Sequence, residues 1–271
     1  MENIEKLIRD RRSVRTYDGR EVSRTDLEKL SACMAKLENP YGIPVTCKLL
    51  DGKVQKLSCP VAAGTDLYIG AKAKKVPHME EAFGYSFELL VLYAQSLGLG
   101  TVWVGGTMDR KAFEEAMELT GEERMPCMTP IGYPAEKLSI KENLMRKGVK
   151  ADSRAPFGEL FFQDDFNTPL TPEKAGKLAH PLEMVRWAPS AVNKQPWRAV
   201  VKDNAVHFYI KHAKGYVSES VGDMQKIDMG IALCHFALTA AEDGLDAQFS
   251  LSDPGIPTGP DTEYIASYLV G

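Results

Sequence analysis

Two segments of the chain are hydrophobic on nearly every side, which is typical of helices that are buried in a core. They cover residues 79–97 (MEEAFGYSFELLVLYAQSL) and residues 224–243 (MQKIDMGIALCHFALTAAED). A glycine follows each segment, and glycine commonly ends a helix. The helical spacing of apolar residues within 2–9 and 22–37 predicts two shorter helices. We therefore expect two central helices surrounded by smaller elements.

Short apolar and β-branched runs predict strands between these helices. Residues 45–59 (VTCKLLDGKVQKLSC) indicate two strands joined by a turn at Asp51-Gly52, because Asp-Gly favours hairpin turns. A similar strand–turn–strand pattern covers residues 197–212 (WRAVVKDNAVHFYIKH). Residues 139–170 differ, since they are rich in charge and carry scattered prolines and weak periodicity. We interpret them as a long connection.

The order of elements restarts after this connection, which indicates an internal repeat. Gly84 and Gly230 match at a spacing of 146 positions (230 − 84 = 146), and Gly98 matches Gly244 at the same spacing. Each single match could arise by chance, but the shared order of elements favours a duplication. The predicted units are a first half (residues 1–138), a crossing connection (139–170) and a second half (171–271), which together form one unit.

The composition is that of an ordinary globular protein and excludes several classes. Of the 271 residues, 44% are hydrophobic and 26% are charged, which rules out collagen-like and disordered chains. The net charge of −4 argues against general binding to nucleic acid or to anionic membranes. Five cysteines without a CxxC pair, a charged N-terminus and no long apolar run favour a cytoplasmic protein. We expect neither a nucleic-acid partner nor a membrane partner.

Three segments carry residues that suit an anion or a flat ligand. In residues 11–15 (RRSVR) an extended backbone would direct the first, third and fifth side chains to one side, where guanidinium groups suit phosphate. Gly105-Gly106, at the end of a predicted strand, would let the backbone approach a ligand closely. Residues 189–193 (PSAVN) place small and polar groups between a helix and a strand. Taken singly, each has a plain interpretation as a solvated segment, a turn or a connection.

Other chemistries are not indicated by the sequence. The five histidines do not have the spacing of metal ligands, and the chain contains no HExxH, GxSxG or Walker motif. His235 lies in an apolar segment, and we interpret it as a core residue rather than a catalyst. We therefore predict no metal site and no catalytic acid–base side chain.

Together these segments resemble the FMN-dependent nitroreductase family. Its members typically carry an RRSxR-like segment after the first helix, an APSxxNxQPW loop before a strand, and a buried helix that ends in GLG. They also carry a strand that ends near two glycines, a GYP strand end and an R-x-P tail. This chain has each piece, spread over nearly its whole length, and RRSVR and APSAVNKQPW are the most specific. The resemblance implies an α+β fold, with a mixed and largely antiparallel sheet flanked by helices, internally duplicated in this chain.

The chain departs from the family in how the pieces are divided between its halves. Family members form obligate dimers, and each flavin lies at the interface between two subunits. Here the first half has RRSVR, the glycine pair and Arg154, but residues 38–42 (ENPYG) replace the PSxxN loop. The second half has that loop, but Ser250-Leu251 replaces the glycine pair and the other pieces are absent. The fused halves would thus form one complete flavin site in a chain that can be a monomer.

The resemblance implies an oxidoreductase that uses FMN and NADH or NADPH to reduce nitroaromatic- or quinone-like compounds. In a ping-pong reaction, the nicotinamide would give hydride to flavin N5 and leave before the small-molecule electron acceptor binds. Arginine side chains would hold the phosphate and ribityl oxygens, and the N–H of Gly106, with that of Gly105, would donate to N5. The implied cofactor-binding residues are Arg11, Arg12, Ser13, Arg15, Gly105, Gly106, Arg154, Pro189, Ser190, Ala191 and Asn193.

Two other interpretations of the same residues stay open. A flavin-binding carrier or sensor without turnover would keep the site but cover the face of the flavin on which substrates stack, and Tyr41 of the replaced loop could provide that cover. A purely structural protein would bind no flavin, although the complementary losses in the two halves argue against this. NAD(P)H oxidation by the FMN-loaded protein separates the first alternative from an enzyme.

Overall fold

The computed structural model describes the fold of residues 1–271 and the side chains of all of them except residues 140 and 141. The helices of this described part are α1 (Ile4–Asp10), α2 (Arg24–Met34), α3 (Gly52–Gln55), α4 (Met79–Ser96), α5 (Arg110–Ala116), α6 (Ile140–Gly148), α7 (Phe157–Leu160), α8 (Pro172–Ala175), α9 (Ala179–Arg186) and α10 (Met224–Glu242). Its strands are β1 (Val45–Asp51), β2 (Leu67–Lys74), β3 (Gly100–Thr101), β4 (Glu123–Arg124), β5 (Met128–Gly132), β6 (Phe161–Gln163), β7 (Trp197–Lys202), β8 (Ala205–Lys211), β9 (Val217–Ser218), β10 (Gly222–Asp223), β11 (Ala247–Ser250) and β12 (Thr262–Val270).

The strands form two larger sheets and a short ribbon. The first sheet has the order β1-β2-β5-β3, with β4 paired to β2, and all of its pairs are antiparallel. The second has the order β11-β12-β8-β7-β6, and its pairs are antiparallel except for the parallel pair β6–β7. Strands β9 and β10 pair separately. The predicted α+β fold with mixed, largely antiparallel sheets is confirmed.

The two apolar helices α4 and α10 pack against each other, and glycine allows their close approach. A Cβ atom on Gly84 would lie 2.0 Å from the carbonyl oxygen of Ile227, and one on Gly230 would lie 2.0 Å from that of Glu81. Gly84 and Gly230 are 146 positions apart, and so are Glu81 and Ile227, so the two contacts are reciprocal, as they are about a two-fold axis. This geometry agrees with the predicted duplication, whose boundaries stay a prediction. No described helix is long and apolar enough to cross a membrane.

The hairpin turn predicted at Asp51-Gly52 is wrong. Strand β1 ends at Asp51, whose side-chain Oδ1 accepts the N–H groups of Lys53 at 2.9 Å and Val54 at 3.2 Å. This cap starts the short helix α3, and β2 begins only at Leu67, which pairs with Asp51. Aspartate favours both helix starts and tight turns, so the dipeptide alone does not distinguish them.

Residues 139–170 contain regular elements, whereas the sequence predicted only a long connection. Ser139 starts helix α6, because its hydroxyl oxygen accepts the N–H of Glu142 at 3.1 Å. A serine followed three residues later by glutamate is a known helix-start pattern, and it was a signal for α6 in the sequence. Beyond α6, strand β6 pairs with β7 of the second sheet. The segment therefore runs from the neighbourhood of the first sheet to the second.

Candidate functional site

A cavity of about 510 Å³ brings together distant parts of the chain. Its lining comes from the stretches 9–15, 103–105, 126–127, 145–154, 187–193 and 221–231. Ten of the eleven predicted site residues line this cavity, namely Arg11, Arg12, Ser13, Arg15, Gly105, Arg154, Pro189, Ser190, Ala191 and Asn193. Gly106 is exposed and does not line it.

The basic segment 11–15 reaches the cavity because it runs beside β3. The N–H of Val14 donates to the carbonyl oxygen of Thr101 at 2.8 Å, and Ser13 forms an isolated parallel bridge with the same residue. Gly100 is required for this approach, since a Cβ there would lie 2.8 Å from the side chain of Val14. The backbone pairing therefore fixes the segment at the cavity wall.

A buried carboxylate, Glu142 of α6, joins this segment to the connection between the halves. Glu142 is only 1% exposed and accepts hydrogen bonds from Arg12 Nη1 and from the hydroxyl of Thr16, each at 2.9 Å. Helix α6 thereby brings Arg146 to the cavity, where it pairs with Asp152. The sequence analysis did not predict Arg146 as a site residue, because it did not predict the helix that carries it.

Three of the cavity arginines have buried nitrogen atoms that lack a partner. The Nε atoms of Arg11, Arg15 and Arg154 make no hydrogen bond within the described part of the chain. Arg11 Nε lies 3.7 Å from the Oε1 atom of Glu88. Burial lowers the pKa of Arg11 and of Arg15, and burial together with the charge of Arg11 lowers the pKa of Arg154 to about 10. Unsatisfied buried donors are costly, so this cluster points to an anionic ligand.

The loop that contains PSAVN has a strained backbone and is tied to the connecting segment. Val192, Asn193 and Gln195 have φ values of 45°, 57° and 51°, which residues other than glycine seldom adopt. The Asn193 side-chain amide donates to the carbonyl oxygens of Lys150 at 2.8 Å and Ser153 at 3.1 Å. This amide nitrogen therefore holds the loop against the connection, a role that the sequence analysis did not predict.

Helix α10 supplies an apolar wall that contains one carboxyl group. Met224, Ile227 and Ile231 line the cavity together with Asp228. Both carboxyl oxygens of Asp228 lie 3.1 Å from the N–H of Ala191, and the residue is 4% exposed. Burial raises the pKa of Asp228 well above its ordinary value. The sequence analysis missed this residue, although a single aspartate near the start of an otherwise apolar helix was a visible signal.

A fully buried network supports the cavity wall from behind. Glu88 Oε2 accepts the Trp103 Nε1–H at 3.1 Å, and Glu88 Oε1 lies 3.0 Å from His235 Nε2. The other ring nitrogen of His235 lies 3.0 Å from the carbonyl oxygen of Met184, which can only accept, so that nitrogen carries a proton. His235 is completely buried and does not line the cavity. The network positions Trp103, which does line it.

The two glycines of the predicted pair lie in different surroundings. Gly105 lines the cavity, and a Cβ there would lie 3.3 Å from the carbonyl oxygen of Pro126. Arg110 donates to the carbonyl oxygen of Gly105 and, at 2.7 Å, to that of Met125. These bonds hold the chain so that the next residue, Gly106, turns outward into solvent. Of the pair, Gly105 is the one that stands where a bound ligand could contact it.

Comparison with known proteins identifies an oxidoreductase of the nitroreductase class. A family model described as "Putative TM nitroreductase" matches residues 3–240. The chain belongs to this family, and the match confirms the resemblance found in the sequence. No curated protein matches the chain.

Solved structures show the same fold. A structure from Thermotoga maritima, described as "a putative nitroreductase", has a TM-score of 0.61 and 22% sequence identity, covering 99% of this chain and 94% of that one. At this identity the likeness shows the fold alone. An FMN-dependent nitroreductase from Clostridium difficile has a TM-score of 0.42 and 21% identity, covering 49% of this chain and 88% of that one. The second likeness is too low to bear on fold or function.

Proposed function

We propose that this chain is an FMN-dependent NAD(P)H oxidoreductase that reduces nitroaromatic- or quinone-like acceptors. The observation that carries the proposal is the group of buried Nε atoms of Arg11, Arg15 and Arg154 that make no hydrogen bond within the described part of the chain and lie at one cavity. A phosphate monoester offers several anionic acceptors to such guanidinium groups. The cavity volume of about 510 Å³ lies within the usual range for small-molecule and cofactor sites.

The remaining walls suit the other parts of FMN. Ser13 and Ser190 line the cavity and can bind ribityl hydroxyls. Trp103, Ile227 and Ile231 offer an apolar surface for a flat ring system. When bound, FMN supplies hydride transfer between a reduced nicotinamide and an acceptor. The side chains of this protein bind and orient the reactants, and the apolar wall excludes water from them.

The single apolar wall of the cavity supports a ping-pong order as part of this proposal. NADH or NADPH and the acceptor would both need the apolar wall beside the cofactor, so each must leave before the other binds. The carrier or sensor alternative required Tyr41 to cover that face. Tyr41 packs on Phe249 and His78 and does not line the cavity, so it does not provide the cover. NAD(P)H oxidation by the FMN-loaded protein distinguishes an enzyme from a carrier.

The test of the proposal is the flavin content of the purified protein. We expect a yellow preparation with one FMN per chain, which then oxidises NADH or NADPH with a simple quinone or nitroaromatic compound. Two FMN per chain would contradict the assignment of the site to a single cavity. A preparation that stays colourless after FMN is added would overturn the proposal.

The arginine cluster is tested by Arg154→Leu. We expect FMN affinity to fall about ten- to hundredfold, because a charged hydrogen bond contributes about 1.5–3 kcal/mol. Fluorescence titration with FMN measures this change. The control is Arg24→Leu, because Arg24 is an exposed residue of α2 that pairs with Glu28. Equal affinity in the two variants would contradict the assignment of the phosphate to this cluster.

A further inference from the structure

We propose that the carboxyl group of Asp228 donates a proton to a quinone-like acceptor in the cavity. This inference rests on the proposed function and deepens it. It assigns a catalytic side chain where the sequence predicted none, and it favours acceptors that develop negative charge on an oxygen atom during reduction. The supporting observations are the place of the carboxyl group, its hydrogen bond and its charged surroundings.

The geometry leaves one part of the carboxyl group available to a ligand. Asp228 lies in the second turn of α10 and lines the cavity. Its hydrogen-bond partner is the N–H of Ala191, 3.1 Å from both oxygens. A neutral carboxyl group accepts this bond through its carbonyl oxygen, and its O–H is then free to donate. No ion pair of Asp228 occurs among the described residues.

The other carboxyl groups that line the cavity are paired with cations. Asp10 pairs with Lys6, and Asp152 pairs with Arg146. Asp228 differs from both because it is buried in the apolar wall. Burial raises the pKa of Asp228 well above its ordinary value, and the Ala191 N–H opposes this only in part. The carboxyl group therefore favours its protonated form more strongly than an exposed aspartate does, and in that form it can act as an acid.

The charged groups near Asp228 come from α10, from the neighbouring helix α4 and from the rest of the cavity lining. Asp223, at the start of the same helix, raises the pKa of Asp228 further and caps α10 by accepting the N–H of Gln225 at 2.9 Å. From α4, Glu81 lies 3.8 Å from His78. The charged residues that line the rest of the cavity are Arg9, Asp10, Arg11, Arg12, Arg15, Arg146, Asp152 and Arg154.

The proposed step balances with groups that the proposed function already supplies. The acceptor gains two electrons as a hydride from the reduced cofactor, which leaves an oxyanion on the acceptor. The O–H bond of Asp228 breaks, its proton forms a new O–H bond on that oxyanion, and the electron pair stays on the carboxylate. One hydride and one proton thus convert a quinone to a hydroquinone. Water returns the proton to Asp228 after the product leaves.

The first test is independent of turnover and uses the full chain without added FMN. The infrared difference spectrum between the wild type and Asp228→Asn at pH 7 should contain the C=O stretching band of a protonated carboxyl group, and a contribution from Glu81, whose pKa burial also raises, cancels in this difference. Asparagine still accepts the Ala191 N–H, so the loop keeps its bond. The control Asp261→Asn changes an exposed side chain, and its difference spectrum should lack the band. A difference spectrum of Asp228→Asn without the band would overturn the proposal.

The second test separates the two half-reactions of the FMN-loaded protein by stopped-flow absorbance. In Asp228→Asn, reduction by NAD(P)H should stay within about twofold of the wild type, because general acid catalysis serves only the acceptor. Re-oxidation by a quinone should slow about a hundredfold or more. A wild-type protein without FMN or quinone reduction would overturn the proposed function and this role with it. An active wild-type protein whose Asp228→Asn variant is equally fast would overturn the role of Asp228 alone.

If Asp228→Asn does not fold, the wild-type protein still decides the question. As pH rises, the infrared band and the rate of re-oxidation by quinone should decline over the same range. A rate that stays constant while the band disappears would show that the proton comes from elsewhere.

Discussion

Two regions of the molecule occupy matching places on either side of the α4–α10 crossing, but one is a cavity and the other is filled by side chains. One is the cavity, lined by Trp103 and Met224. The positions 146 residues away are Phe249 and His78, and there the ring of Tyr41 fills the space. Its centroid lies 4.9 Å from that of Phe249 and 5.5 Å from that of His78. We call Tyr41, His78 and Phe249 the filled region. One loop thus supplies a large ring at the place where the other side of the crossing has a cavity.

The charges of the two regions differ as much as their packing. The cavity gathers arginines whose buried Nε atoms lack hydrogen-bond partners within the described residues, whereas a carboxyl group, Glu81, lies next to the filled region at the position that corresponds to Ile227 of the cavity. Burial raises the pKa of Glu81. A carboxyl group is unsuited to a phosphate ligand, and the Tyr41 ring leaves no room for a flat one. The two regions therefore differ in charge as well as in the space that they leave.

The helix crossing that relates the two regions should be the most sensitive to change. We expect Gly84→Ala and Gly230→Ala each to cost more than about 4 kcal/mol of unfolding free energy, because each new Cβ would overlap a backbone oxygen. Urea unfolding measures the two losses, which should be similar. Gly121→Ala is the control, since nothing lies within 4 Å of its added Cβ. Clearly unequal losses would break the two-fold comparison.

Removal of the ring from the filled region should cost stability without creating a second site. We expect Tyr41→Ala to lower the unfolding free energy by about 1–3 kcal/mol, because the half-buried ring packs against the core. FMN content should stay unchanged, because the filled region has no arginine cluster. Denaturant unfolding and flavin quantification check both expectations. A second bound FMN would contradict the charge argument.

The pH dependence of stability should distinguish Asp228 from Ala82, which stands at its matching place. Because the pKa of Asp228 is raised in the folded state, that state binds more protons than the unfolded chain above about pH 3.9. The contribution of Asp228 to the unfolding free energy therefore decreases as pH rises from that value toward the folded-state pKa, by up to about 1.4 kcal/mol per pH unit. Asp228→Asn should gain stability relative to the wild type between pH 5 and pH 8. Denaturant unfolding of both proteins at both pH values measures this gain. A stability difference between variant and wild type that is the same at pH 5 and pH 8 would contradict the raised pKa of Asp228.

The smallest expected effect concerns a single hydroxyl group of the filled region. The Tyr41 hydroxyl is buried and has no hydrogen-bond partner within the described residues. We expect Tyr41→Phe to raise the unfolding free energy by up to about 1 kcal/mol, because an unsatisfied polar group is removed. Tyr17→Phe is the matched control, since the Tyr17 hydroxyl donates to the carbonyl oxygen of Val14 at 2.9 Å. That variant should lose stability, and equal effects of the two substitutions would contradict this difference.

The sequence predicted the central helices and two of the segments that line the cavity because these depend on local signals. An all-apolar segment has no stable place outside a core, which is why α4 and α10 were predictable. RRSVR and PSAVN carry their chemistry in adjacent residues, and both line the cavity. Arg146 and Asp228 were missed because their role depends on where α6 and α10 pack. The contribution of Gly106 was overestimated, since the contact of Arg110 with Gly105 is a tertiary feature.

The two walls of the cavity come from different parts of one continuous chain. Arg11, Arg15 and Arg154 come before residue 155, whereas Ala191 and Asp228 come from the last third of the sequence. A site shared between separate molecules is lost when the solution is diluted below the dissociation constant of their complex. Here the covalent connection keeps each wall at a high effective concentration near the other. We therefore expect ligand binding at this cavity to be independent of protein concentration, even at extreme dilution.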